Sequence, residues 1–355
     1  MRGRVALFAA AFLAALALRV GLLMSVTAHY DLAGFSTAVE ILRRHGALYL
    51  ETNRYNYSPV WAHVLLGLDT AAWRADLTLA ETLGGFLLLF DAATALLLAR
   101  LAGGGRRGAA VALALFANPV SIFVSSFHLQ FEGVALFFLL VALWCAERPE
   151  PERGGTIAAL SASLLVKHVT AFFPPLFVGS RRRKGLPPLA AAVPYAVFAA
   201  SFLPYARQWP GIRAHVLGYR GLAEDYGTAM LLRIPGAPAW LPTAVFLAVM
   251  AAALVLLRGI ELRRACLLLS LVTLLTVPGI AEYYFVWPIA LGALSGGAGY
   301  LVYTLVVTAF FLGSPDGLNL PIAHLPGWHG VWWSVLLWLA LEIRRLQRER
   351  TAAPA

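Results

Sequence analysis

Charge is what this sequence has least of. Only 13% of its 355 residues are charged, 60% are hydrophobic, and the mean hydropathy is +0.74. A soluble domain carries about 25% charged residues, so that class is excluded. Acidic residues are the scarcer sign, 18 against 28 Lys and Arg, for a formal net charge of +10. On a soluble chain such an excess would point to nucleic acid. Here the basic residues cluster at the ends of apolar blocks, as membrane topology and anionic lipid require, and no nucleic-acid partner is expected. The two cysteines, Cys145 and Cys266, have no zinc spacing and sit near expected cytoplasmic ends, which argues against a disulfide. Low-complexity linkers, soluble domains and convincing internal repeats are also missing.

What is present is a series of long apolar blocks. A span needs roughly 20 apolar residues. The candidates are 5–26, 78–100, 108–127, 131–146, 186–205, 239–257, 264–281, 283–298, 299–313 and 330–345. The first lacks a convincing cleavage site, so it is a span rather than a signal peptide. Region 155–180 is followed by Arg181-Arg182-Arg183-Lys184. A single crossing would put that basic run outside, so the region is expected to turn back near Lys167-His168 as two short helices. Pro174 and Pro175 shorten any continuous helix there. The fold class is therefore all-α and polytopic, with about twelve transmembrane or half-spanning helices and both termini cytoplasmic. Outside fall 27–77, 206–238 and 314–329. In the first outer loop, Leu32, Phe35, Val39 and Leu42 share a face and predict a surface helix from Asp31 to His45. Pro59 opens a second, 60–73.

Charges inside membrane helices cost about 2.5–3.5 kcal/mol each on insertion scales, so those that persist are informative. Four polar clusters fall at one expected depth on the outer side: Asp31; His128, Gln130 and Glu132; Lys167 and His168; Glu282, Tyr283 and Tyr284. A polar pocket between helices would account for all four. Each also has a plainer reading. Asp31 can cap the helix that follows it. Glu132 with His128 can be a buried pair fixing two helices, Lys167 can snorkel, and Tyr283, Tyr284 and Trp287 can form an interfacial belt. No second metal-spaced His or Cys accompanies His128, so no metal and no cofactor is expected. Arg207, Arg213, Arg220 and Arg233 lie outside against the positive-inside trend, which suits an anionic partner. Asp91, inside 78–100, has no assigned partner beyond a pairing within the bundle.

The order of these motifs resembles the GT-C glycosyltransferases, multi-pass enzymes that use polyprenyl- or dolichyl-phosphate sugars. His29-Tyr30-Asp31 matches in position their acidic residue in the first outer loop. Asn56-Tyr57-Ser58-Pro59-Val60-Trp61 resembles the Tyr-x-Pro-Leu stretch that follows. Asn118-Pro119 and His128-Leu129-Gln130-Phe131-Glu132-Gly133 resemble the Asn-Pro and His-Phe-Gln-Tyr-Asn-Gly pattern of the lumenal glucosyltransferases of the dolichol pathway, with Glu132 in place of Asn. Leu165-Val166-Lys167 with Phe173-Pro174 resembles their Lys-then-Pro hairpin. Glu282-Tyr283-Tyr284-Phe285-Val286-Trp287-Pro288 resembles a stretch of the GPI-type mannosyltransferases. The likeness covers most of residues 1–290 as a mosaic of subfamilies.

The resemblance implies a GT-C-like core module over 1–205 with outer loop 27–77, then variable helices over 206–355 with outer loop 206–238. It implies an inverting hexosyltransferase working on the non-cytoplasmic face. Asp31 would be the base, the donor a polyprenyl-phosphate sugar, and the acceptor a lipid-linked glycan or glycolipid. Tyr57, His128, Gln130, Glu132, Lys167, His168, Arg213, Arg220, Glu282 and Tyr283 would bind substrate. The alternative is a transporter or flippase for a lipid-linked or anionic substrate, which would favour inverted repeats and midplane charges. A non-catalytic scaffold ranks last. The Ala/Leu/Arg/Gly-rich composition suggests a GC-rich prokaryotic genome, hence a plasma membrane.

Overall fold

The apolar blocks fold as helices whose ends are set by local chemistry. The computed structural model describes residues 2–25, 30–179, 184–219, 226–314, 317–320 and 327–352. His29, Arg181 to Arg183, Arg220, Asp316 and His324 lie outside the described residues. Among those described, 17 α-helices are joined by short 3-10 and π segments, with no strand and one isolated bridge between Val178 and Leu186. The chain forms two compact units, one of residues 1–117 with 124–219 and the other of 118–123 with 220–355.

In chain order the first unit begins with α1 (Arg2–Ser25), α2 (Tyr30–Arg43), α3 (Leu48–Glu51), α4 (Pro59–Arg74), α5 (Leu79–Leu101) and α6 (Gly105–Phe116). The short α7 (Pro119–Ile122) belongs to the second unit. The first unit resumes with α8 (Glu132–Ala146), α9 (Arg153–Val166), α10 (Pro188–Ser201) and α11 (Trp209–Gly211). Helix α2 buries Phe35, Ala38, Val39 and Ile41, while Leu32 and Leu42 are half-buried. Ser58 accepts from the Trp61 amide and Pro59 opens α4, so both segments expected to be helical are helices. Thr78 and Glu81 make a reciprocal capping box that starts α5. Gly108 lets α6 lie against α5, since a Cβ there would sit 2.6 Å from the Ala99 carbonyl oxygen.

Among the described residues, two helices are long and apolar enough to cross a membrane, Ala6–Ser25 and Leu79–Leu101. The number rises to four if Gly105–Phe116 with Pro119–Phe127, and Pro188–Ser201 with Leu203–Leu217, each count as one broken span. The apolar blocks are thus divided into shorter helices than their composition suggests. Helix α8 has 15 residues, about 22 Å at 1.5 Å per residue, against a hydrocarbon core of about 30 Å. The breaks fall where Asn118 and Pro119 start a new turn and where a π turn covers Phe123–Phe127.

Helices α8 and α9 form an antiparallel hairpin, tied where the Ser163 hydroxyl donates to the Ala135 carbonyl at 2.8 Å. Glu132 opens α8 and Lys167 follows the last residue of α9, so both lie at one end of the hairpin. From Lys167 the chain returns through 3-10 turns, His168–Phe172 and Pro174–Phe177. Gly179 and Lys184 then line a cavity with Glu150 and Arg153, at the opposite end. Lys184 therefore lies at the end where α9 begins, as a chain that turns back at Lys167 requires.

The second unit holds α7, α12 (Thr228–Leu231), α13 (Leu241–Leu257), α14 (Leu262–Thr276), α15 (Trp287–Ser295), α16 (Ala298–Gly313) and α17 (Trp328–Ala352). Trp338 packs where Gly292 and Gly299 leave room; a Cβ at either would lie 2.4 or 2.3 Å from its ring. Arg264 at the start of α14 pairs with Glu349 near the end of α17, at 3.0 Å between Nη2 and Oε1. At the other end the Trp332 indole donates to the Leu275 carbonyl at 3.0 Å.

Candidate functional site

The segment between α2 and α4 is pinned by its own aromatic residues. The Tyr49 hydroxyl donates to the Tyr57 carbonyl at 2.9 Å, and the Tyr55 hydroxyl to the Ser58 carbonyl at 2.7 Å. Burial pushes both phenols above their ordinary range, so they remain neutral donors. The Ser58 hydroxyl donates to the Leu165 carbonyl, tying the turn to the end of α9. The segment after α10 packs on it: the Tyr49 amide donates to Gln208 at 2.8 Å, and Gly211 touches the Tyr49 carbonyl so closely that no Cβ fits.

This scaffold brings three of the four sequence clusters together. Asp31 lies in the first turn of α2, a favourable place for a carboxylate. The Gln130 amide donates to its Oδ2 at 2.5 Å. Glu132 and Lys167 form an ion pair with side chains 0% and 1% exposed. The Lys167 ammonium lies 4.8 Å from the Tyr57 ring centroid and 4.6 Å from that of Phe131. Phe131 is itself packed on Trp61, Tyr57 and Phe35, at 4.1, 4.7 and 5.7 Å between centroids. The negative ring faces complete the cation's surroundings. Asp31 acts electrostatically on both members of the pair.

Exposure separates the roles. Asp31 is half-buried, whereas Gln130, Glu132 and Lys167 are enclosed. Asp31 is thus the carboxylate that an outside hydroxyl can reach. Lys167, expected to bind substrate, is paired with Glu132. Three buried polar atoms beside the pair make no hydrogen bond: Gln130 Oε1, Glu132 Oε2 and His168 Nδ1. Buried polar atoms are normally satisfied, so these three mark the cluster as unusual. His128 is buried, its ring 5.4 Å from that of Phe127. Among the described residues no group of three His, Cys, Asp or Glu could hold a metal.

Arg213 is exposed on the π segment Ile212–Leu217. Glu282, Tyr283 and Tyr284 belong to the second unit, where all three are buried and the two tyrosine rings meet edge-on at 5.1 Å. Asn118 caps α7 and donates to the Tyr300 hydroxyl at 2.9 Å, a structural task within that unit.

Two residues escape the sequence reading. Arg19, in the apolar α1, is fully buried against Asp91 of α5 at 2.5 Å. It also donates to the Phe116 carbonyl at 3.0 Å and to the Ser125 hydroxyl at 2.7 Å. A lone arginine and a lone aspartate in neighbouring apolar helices are the signal that could have paired them. Arg54 is the other. Its carbonyl would lie 3.2 Å from a Cβ on Gly34, and its side chain is exposed next to α2, one turn beyond Asp31.

No family model, no curated protein and no solved structure matches this chain.

Proposed function

We propose that this protein is an inverting membrane glycosyltransferase. It moves a sugar from a polyprenyl-phosphate donor to a lipid-linked glycan or glycolipid on the non-cytoplasmic face. The observation that carries this reading is the half-exposed Asp31 carboxylate, held at 2.5 Å by Gln130 beside a buried Glu132–Lys167 pair. In the reaction, Asp31 takes the proton of an acceptor hydroxyl. The hydroxyl oxygen forms a bond to the anomeric carbon from the face opposite the donor phosphate. The carbon–oxygen bond to that phosphate breaks, and its electron pair leaves on the lipid phosphate. A fixed cation favours that departure. We assign this role to Arg54, whose exposed side chain leaves the loop beside Gly34 of α2.

The same reading makes the fold GT-C-like, with short and broken helices completing about twelve crossings or half-crossings, both termini cytoplasmic, in a prokaryotic plasma membrane. Charge placement within the first unit supports this orientation. Arg148, Arg153 and Lys184 lie at the end of the α8–α9 hairpin remote from Asp31 and Glu132, as the positive-inside rule asks of a site on the outer side.

The test is purified protein in liposomes, supplied with a panel of radiolabelled polyprenyl-phosphate sugars and membrane lipid extract. Label covalently attached to an acceptor lipid is the expected result. Donor that crosses the bilayer with no labelled product would replace the enzyme with a flippase.

A further inference from the structure

The segment 124–133 carries Gln130 and Glu132, and its backbone is not one that those residues choose freely. Leu129 has φ of 54°, a left-handed conformation that bulky residues avoid. The Gln130 amide closes the loop onto the Val124 carbonyl at 3.0 Å. Something outside the loop must hold it, and one buried charge pair reaches both its ends. At the near end Arg19 donates to Ser125 at 2.7 Å, with Ser126 at 3.5 Å. At the far end Asp91 Oδ1 lies 2.8 Å from where a Cβ on Gly133 would be, so only glycine lets α8 close on it. Asp91 also accepts from Ser125. The guanidinium reaches the end of α6 through the Phe116 carbonyl as well. Nothing in the sugar-transfer chemistry uses this pair directly.

We propose that the Arg19–Asp91 pair is a positioning device that clamps 124–133 at both ends, and so aims the Gln130 amide at Asp31 and Glu132 at Lys167. Arg19 and Asp91 act through the segment and touch no substrate. The catalytic half of this proposal rests on the reading of Asp31 as the base; the conformational half does not.

The test compares three variants in nanodiscs: Asp91→Asn, Gly133→Ala and the double neutral variant Arg19→Met with Asp91→Leu. The double variant leaves no orphaned charge, so it keeps the fold if a single variant does not. Two quantities are read: hydrogen exchange of peptides within 124–133, with Leu262–Thr276 of the second unit as internal reference, and kcat and donor KM for sugar transfer. The expected result is tenfold or faster exchange across 124–133 in all three, with the reference unchanged. In transfer assays kcat falls about tenfold and donor KM stays within twofold. A pair that serves stability alone would be made good by the double variant. Wild-type exchange and kcat in that variant would overturn the proposal. Faster exchange in 124–133, in a protein whose Asp31→Asn form transfers sugar undiminished, would uphold the clamp and remove Asp31 as the base.

Discussion

Gln130 and Asp31 stand 99 positions apart in the chain and meet at 2.5 Å, amide nitrogen to carboxylate oxygen. Gln130 lies in a loop between helices and Asp31 in the first turn of α2. The contact therefore fixes where α2 sits relative to the buried Glu132–Lys167 pair.

Gln130→Ala should lower kcat by about ten- to a hundredfold with little change in acceptor KM. The amide orients the base, and a hydrogen bond to a charged group contributes about 1.5–3 kcal/mol. Steady-state kinetics on purified protein checks this. A rise in KM alone would instead make Gln130 a ligand for substrate.

The Glu132–Lys167 pair should behave as a coupled unit. Removing one partner, by Glu132→Leu or Lys167→Met, leaves an uncompensated buried group and should cost about 3–5 kcal/mol. The double variant Glu132→Leu with Lys167→Met should regain most of that stability while transfer stays low. Thermal unfolding of all four forms in one detergent gives the coupling free energy directly.

Much of this arrangement is legible in the sequence, and the limits have physical causes. Lys167 as the turn of a hairpin follows from the basic run after it, since four cations cannot easily sit outside. The outer helices follow from Phe35 and Val39 at helical spacing and from Pro59. Asp31, Glu132 and Lys167 stand out because charges in apolar surroundings need a reason to be there. Arg19 is hidden by reading 5–26 as uniformly apolar, although the same reasoning applies to it and would have given Asp91 its partner. That Glu132 would neutralise Lys167 is not readable, because both lie at segment ends and only packing decides whether they face each other. Helix lengths are overestimated because apolar composition continues through the breaks at Asn118-Pro119 and Phe123–Phe127.

Arg54→Gln should raise donor KM and lower kcat together, as expected for a cation that meets the phosphate in both ground and transition states. Arg54→Lys should recover part of each. Kinetics against donor concentration at low and high salt checks it, and the wild-type advantage should shrink as salt rises.

Gly211→Ala should loosen the two outer loops from each other. Its Cβ would fall on the Tyr49 carbonyl, a backbone atom that cannot rotate away. Overpacking of this kind costs about 1–3 kcal/mol. Limited proteolysis should show faster cleavage within 203–217 and no change in α8 or α9.

The most direct test is Asp31→Asn, which keeps the shape and can still accept from Gln130 but cannot take a proton. Transfer from the active polyprenyl-phosphate sugar should fall by about a hundredfold or more, with donor binding and thermal stability within error of wild type. Sugar transfer at the wild-type rate in a stable Asp31→Asn protein would contradict the assignment of Asp31 as the base.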